Sequence, residues 1–253
     1  MVNWLAVVTA VVVVGGIGFA VALGSNQAQA RPEASTQSSG PFSWEIREQE
    51  EAAAAAAAAE AAIVKLPKKA DPTSVLFVGD SLTYGAFAST ESAAWRPLVT
   101  SGLSAQTPID ETWVGGSGLS SVDVTPKVPK DAFDLVIVEI GTNDATNQPE
   151  EALESNYTAL IGAVRSASPS AGLICLGSWQ TAWRVSQTDQ EIKSICEANA
   201  GTYIKLGDLW LDEANRGPDL RETEFGVGDD FHPNDSGHRA IADRVLAQIR
   251  VEG

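Results

Sequence analysis

Four short segments carry side chains that could act together on a carbonyl carbon. Gly79-Asp80-Ser81-Leu82 offers a hydroxyl, and the cluster Gly115 to Gly118 offers backbone N–H groups with no Cβ in front of them. Gly141-Thr142-Asn143-Asp144 offers a side-chain amide, and Asp229-Asp230-Phe231-His232-Pro233 offers a carboxylate beside an imidazole. Acyl transfer at a serine needs these group types at one point: a nucleophile, a base with an orienting partner, and donors for the oxygen on which charge develops. A serine hydroxyl stays protonated near neutral pH, so it needs a base within hydrogen-bond reach. The chain has only two histidines, His232 and His238. Asp229, three residues before His232, can accept from the imidazole nitrogen remote from the serine, and the neighbouring Asp230 stays open as an alternative. The spacing therefore assigns Ser81, Asp229 and His232 as catalytic. The Ser81 N–H, the Gly115 N–H and the Asn143 amide are the expected oxyanion donors. His238, in the final helical pattern, reads as a capping or packing residue.

The elements around these segments must bring them together. Ser74-Val75-Leu76-Phe77-Val78, Asp134 to Ile140 and Gly172 to Leu176 are short apolar runs, with Ile109 to Val114 and Tyr203 to Leu206 as weaker ones. Helical patterns lie between them, at Pro149 to Ser166 and Thr188 to Ala200, and a last one runs from Asn234 to Val251. Apolar strands alternating with helices predict a parallel sheet covered on both faces. The expected fold is a single three-layer α/β/α domain over residues 71–253, flavodoxin-like, with about five strands. Ligands of such sheets bind beyond the carboxyl ends of the strands. Ser81, Gly115 and Asn143 each follow a strand, so they should share one rim. The loop holding His232 can return to that rim before the last helix.

At these positions the chain resembles the SGNH (GDSL-type) hydrolase family. Gly79-Asp80-Ser81-Leu82, extended by Thr83-Tyr84-Gly85, resembles its nucleophile block. Gly115 and Asn143 resemble its oxyanion glycine and asparagine. Asp229-x-x-His232-Pro233 with Gly237-His238 resembles its last block. The similarity runs from about Ser74 to Ile249. One position departs from the family pattern: Trp113 stands where the second block carries an asparagine. The resemblance implies an ester hydrolase that needs no cofactor or metal. Three rival chemistries lack their signatures. The Gly-x-Ser-x-Gly elbow is missing, no phosphate-cradling glycine loop ends in Lys-Ser/Thr, and two histidines are few for a two-metal site.

Composition narrows the partners. With 33 acidic against 17 basic residues the net charge is −16, which argues against nucleic acid and anionic surfaces. Residues 4–24 form an apolar run without a charge, long enough at about 1.5 Å per residue to span a bilayer core. It reads as a transmembrane anchor, with a cleavable signal segment as the alternative, since Ala28-Gln29-Ala30 has the small-x-small form of a cleavage site. Residues 25–70 read as a linker followed by a stalk, helical through its eight consecutive alanines, Ala52 to Ala59. The expected location is outside the cell, tethered to the membrane through the N-terminal helix, or secreted if residues 1–30 are removed. Cys175 and Cys196 leave open one disulfide or two buried thiols.

The expected activity is hydrolysis of an O-acyl ester, on a carbohydrate acetyl ester or a lipid-like ester, through an acyl-Ser81 intermediate. Transfer of the acyl group to a sugar or other alcohol is the second reading, and a non-catalytic surface-displayed binding module the third. Trp179 and Trp183 follow the Gly172 to Leu176 run, where indole faces could stack on substrate.

Overall fold

Buried strands alternate their side chains between two cores, and this alternation builds the domain. The computed structural model describes residues 43–180 and 183–252; the apolar run 4–24 and the linker lie outside them. Among the described residues no helix is long and apolar enough to cross a membrane. Contacts divide the chain into Met1–Ile46 and Arg47–Gly253, and the second unit contains every strand.

Along the chain, α1 is Ser43–Ala61 and β1 is Val64–Pro67. The pairs that follow are β2 Thr73–Gly79 with α2 Ser81–Tyr84 and α3 Trp95–Ser104, then β3 Ile109–Gly115 with α4 Ser121–Val124. Next come β4 Leu135–Glu139 with α5 Thr142–Asn147 and α6 Leu153–Ala167, and β5 Gly172–Leu176 with α7 Trp183–Ala198. The chain closes with β6 Thr202–Ile204, α8 Gly207–Leu211, the hairpin β7 Glu222–Thr223 and β8 Gly226–Val227, α9 Asp235–Ala247 and β9 Ile249–Glu252.

Five strands form one parallel sheet in the order β3-β2-β4-β5-β6. Val75, Phe77, Leu135, Ile137, Ile174 and Leu176 enter one core with Trp95, Val99 and Leu103 of α3 and Ile241 and Val245 of α9. Their strand neighbours Leu76, Val78, Val136, Val138, Leu173 and Cys175 enter the other, against Tyr157, Leu160 and Ile161 of α6 and Ile192 of α7. Adjacent residues of a strand point to opposite faces, so near-continuous apolar runs are what a sheet covered on both sides requires. The three-layer expectation from sequence is met. Numbering only the sheet strands, the order is 2-1-3-4-5, which reverses between β2 and β4 and leaves a crevice beyond their carboxyl ends.

Two readings of the termini need correction. The segment 25–70 is not linker and stalk throughout: α1 ends at Ala61, and β1 pairs in parallel with β9, Val64 opposite Ile249 and Leu66 opposite Val251. The last helix stops at Ala247, not Val251. Ile249-Arg250-Val251-Glu252 alternates apolar and charged residues, a period of two that suits a strand with one covered face. Helical periodicity in the preceding turns hid that switch. Cys175 on β5 and Cys196 on α7 form a disulfide, which settles the alternative left open by sequence.

Candidate active site

Local backbone chemistry places the hydroxyl first. β2 ends at Gly79, and Asp80 caps α2 by accepting the Leu82 N–H at 3.0 Å. Ser81 is the first residue of α2, where the helical ladder leaves its N–H without an acceptor inside the helix. Gly79 and Gly115 lie opposite each other in the β2–β3 register. A Cβ on Gly115 would stand 1.8 Å from the Gly79 carbonyl oxygen, so only glycine permits this approach of strand ends. That contact explains Gly115, and Gly115 does not line the cavity beside Ser81. Gly118, three residues on, does. The second glycine-bearing loop thus presents Gly118 to the cavity, while Gly115 stands at the strand end behind it.

The base arrives from the loop before α9. Asp229 Oδ1 accepts the backbone N–H groups of Phe231 at 3.1 Å and His232 at 2.7 Å, which folds the 229–232 turn. The other carboxylate oxygen lies 2.8 Å from His232 Nδ1. His232 Nε2 lies 3.0 Å from Ser81 Oγ. With Nδ1–H directed at Asp229, Nε2 is the lone-pair nitrogen that accepts from the Ser81 hydroxyl. Burial alone would raise the Asp229 carboxyl, but the hydrogen bonds from the His232 backbone and ring and from Phe231 outweigh it and hold the group below its ordinary value. Asp229, not the exposed Asp230, is the partner of the imidazole. The rings of Phe87 and Phe231 stand edge-on to the His232 ring, at centroid distances of 5.0 and 5.2 Å.

Asn143 enters from α5, just beyond β4. Its Nδ2 donates to Asp80 Oδ2 at 2.8 Å and to the Leu119 carbonyl at 3.0 Å. Ser81, His232, Asn143, Gly118, Phe87 and Phe231 all face one cavity of about 360 Å³. The neighbouring Asp144 is turned away from it, accepting the Ser121 N–H. Among the described residues no group of acidic, histidine or cysteine side chains could hold a metal ion.

The two tryptophans separate. Trp179 is fully buried, and its Nε1 donates to the Phe231 carbonyl at 2.8 Å while its backbone N–H donates to Thr142 Oγ1 at 2.9 Å. It therefore offers no free face for stacking, and the substrate-binding reading of Trp179 is corrected: the indole braces the turn that carries His232. Trp183 opens α7, and its side chain lies outside what the structure describes. Sequence reasoning also missed Glu139, fully buried beneath Ser81 and bonded to Thr83. Its signal was a lone carboxylate at the end of an otherwise apolar strand.

The sequence model of the GDSL-like Lipase/Acylhydrolase family matches residues 77–240. Among curated proteins no match was found. Solved structures share the fold, three carbohydrate-active esterases among them. A family 3 carbohydrate esterase from Clostridium thermocellum aligns with TM-score 0.56 and 19% identity, covering 70% of this chain and 94% of that one. A catalytic mutant of an acetylxylan esterase from Geobacillus stearothermophilus gives 0.55 and 18%, covering 73% and 97%. A family two carbohydrate esterase from Clostridium thermocellum, an active-site mutant in complex with an oligosaccharide, gives 0.53 and 16%, covering 70% of this chain. This chain spans 64% of the length of that esterase. At these identities the structures establish the shared fold, whereas the sequence match covers the nucleophile, the amide and the imidazole together. The chain belongs to the GDSL-like Lipase/Acylhydrolase family.

Proposed function

We propose that this protein is a serine esterase that removes a short acyl group from a carbohydrate, through an acyl-Ser81 intermediate. One observation carries the reading: the continuous line from Asp229 through His232 to Ser81, with contacts of 2.8 and 3.0 Å, ending in a cavity that Asn143 and Gly118 also face. Ser81 Oγ attacks the ester carbonyl while His232 Nε2 takes its proton. Asp229 holds the tautomer and offsets the charge of the imidazolium. The tetrahedral oxygen draws on the Ser81 N–H, the Asn143 amide and the Gly118 backbone, each such donor contributing about 3–4 kcal/mol to transition-state stabilisation. His232 then protonates the leaving alcohol, and a water activated by the same nitrogen releases the acyl group.

Two features support a small acyl group on a hydroxyl-rich alcohol. The cavity of about 360 Å³ is modest, and Ser117, Thr146 and Gln180 join its apolar Ala86, Phe87 and Phe231. Two of the structural neighbours are a family 3 carbohydrate esterase and an acetylxylan esterase. Export and tethering through residues 4–24 are part of the proposal; a disulfide between Cys175 and Cys196 is consistent with an oxidising compartment.

The test uses p-nitrophenyl acetate and acetylated xylo-oligosaccharides. Ser81→Ala should lower kcat by at least about 10⁴-fold with an unchanged melting temperature. Turnover within tenfold of the parent would remove the acyl-serine mechanism, and a preference for long-chain esters would remove the carbohydrate reading.

A further inference from the structure

A carboxyl pair without a surface exit lies directly under the nucleophile. Asp80 is 0% exposed and Glu139 is 1% exposed. Glu139 stands opposite Gly79 in the β2–β4 register, which sets its side chain beside Asp80. Thr83 Oγ1 donates to Glu139 Oε2 at 2.8 Å, while Glu139 Oε1 is buried with no donor in reach. The two carboxyl groups stand close enough that the charge of Asp80 acts directly on Glu139. Two ionised carboxylates cannot share such a contact, so one must carry a proton. Asp80 already accepts two hydrogens, from the Leu82 N–H at 3.0 Å and from Asn143 Nδ2 at 2.8 Å. Glu139 accepts the Thr83 hydroxyl at Oε2, and its Oε1 has no partner. The proton therefore belongs on Glu139, where Oε1–H gains an acceptor and ceases to be an orphan.

We propose that Glu139 is a positioning residue: as a neutral donor it fixes Asp80, and Asp80 in turn holds one amide hydrogen of Asn143 so that the other is free to meet the oxyanion. This rests on the reading of Asn143 as an oxyanion donor. In the resting site the second amide hydrogen is parked on the Leu119 carbonyl at 3.0 Å. An oxyanion is a stronger acceptor than a peptide carbonyl, so this hydrogen shifts as charge develops, while the bond to Asp80 stays as the pivot. Glycine at position 79 is part of the device, because a Cβ there would stand 1.8 Å from Thr83 Oγ1, the hydroxyl that locks Glu139.

The electrostatics agree with the geometry. Burial, and then the Asp80 charge, push Glu139 well above the ordinary carboxylate range. Burial also raises Asp80, while the Leu82 N–H, the Glu139 side chain and the charge of His232 pull it back. The other groups facing the pair are Asp144 on α5, Tyr157 on α6 and Arg96 on α3. Arg96 Nε donates to the Thr83 carbonyl at 3.3 Å, and its Nη1 is committed to Glu111.

The experiment compares Glu139→Gln, Glu139→Met, Asn143→Ala and Ser81→Ala in the whole chain. Gln keeps a neutral donor toward Asp80, and Met keeps only the volume. Glu139→Met should lower kcat about thirtyfold and Glu139→Gln about threefold, both with KM within about twofold of the parent. Infrared difference spectra at neutral pH should show the carbonyl stretch of a protonated carboxylic acid in the parent and its loss in Glu139→Gln. This spectroscopic arm does not depend on the Met variant folding. Equal losses in the Gln and Met variants, or no such band in the parent, would overturn the positioning role. If instead Ser81→Ala keeps turnover or Asn143→Ala leaves kcat intact, the fault lies with the reading of the site and not with Glu139.

Discussion

The turn at 229–232 and the helix start at 234–238 use the same local device for opposite ends. In each, an Asx side chain accepts a backbone N–H three residues on, Asp229 from His232 at 2.7 Å and Asn234 from Gly237 at 3.1 Å. In each, a histidine follows. His232 keeps part of its ring in the cavity, with Nδ1 against Asp229 and Nε2 against Ser81. His238 is wholly buried, with Nδ1 accepting the Trp95 N–H at 3.3 Å and Nε2 donating to the Ala86 carbonyl at 3.2 Å. One imidazole has an anion behind it and a hydroxyl in front, so it can take a proton. The other has a donor and an acceptor from the backbone, a pairing that only the neutral ring satisfies. Burial lowers His238 to about 4 despite its bond to Ala86. The residue type is constant, and the partners decide the use.

Removing the anion behind His232 should have the largest effect. Asp229→Asn retains an oxygen for the Phe231 and His232 backbone N–H groups, so the turn survives, but the imidazole loses its orienting charge. We expect kcat to fall about 10³- to 10⁴-fold with stability nearly unchanged. A loss below tenfold in steady-state kinetics would mean that the two histidines do not differ in the way described.

The second test addresses His238 by linkage. Its folded value of about 4 lies below the unfolded value of 6.5. Between these the unfolded chain binds a proton that the folded chain refuses, so this stabilisation is complete above about pH 6.5 and is lost as pH falls toward 4. The shift corresponds to about 3 kcal/mol. Urea unfolding should show the parent losing roughly that much more stability across the window than His238→Gln. Parallel curves would show that the buried ring does not titrate as an interior neutral group.

The smallest effect concerns the brace on the first of these regions, at Phe231. Trp179→Phe keeps the packed ring but removes the 2.8 Å bond to the Phe231 carbonyl. The lost bond is worth about 1 kcal/mol. Its cost should appear as a roughly fivefold lower kcat/KM, as the His232 turn loosens. No change in kcat/KM beside a lowered melting temperature would make Trp179 a core residue without influence on the turn.

Much of this site was legible in the chain. Ser81, Asn143 and His232 each carry the only group of the required type in a motif that follows a strand or precedes a helix, and periodicity located the strands. The glycine cluster was legible as a cluster but not by position. Gly115 stands against the Gly79 carbonyl across the β2–β3 register, and Gly118 lines the cavity. Trp179 sat at the right place along the chain for a stacking residue, yet the return of the 229–232 loop covers it. The strand β9 hid behind a helix whose period ran into it, because its partner β1 lies at the far end of the domain.

The sequence by itself determined the order of chemical groups and the two-faced sheet, since both follow from residue type and from spacings of two to four residues. Tertiary structure alone decided which carboxylate stays ionised, which carries a proton and which imidazole is free to work. Those properties depend on burial and on partners that stand dozens of residues away, as Thr83 does from Glu139 and Ser81 from His232.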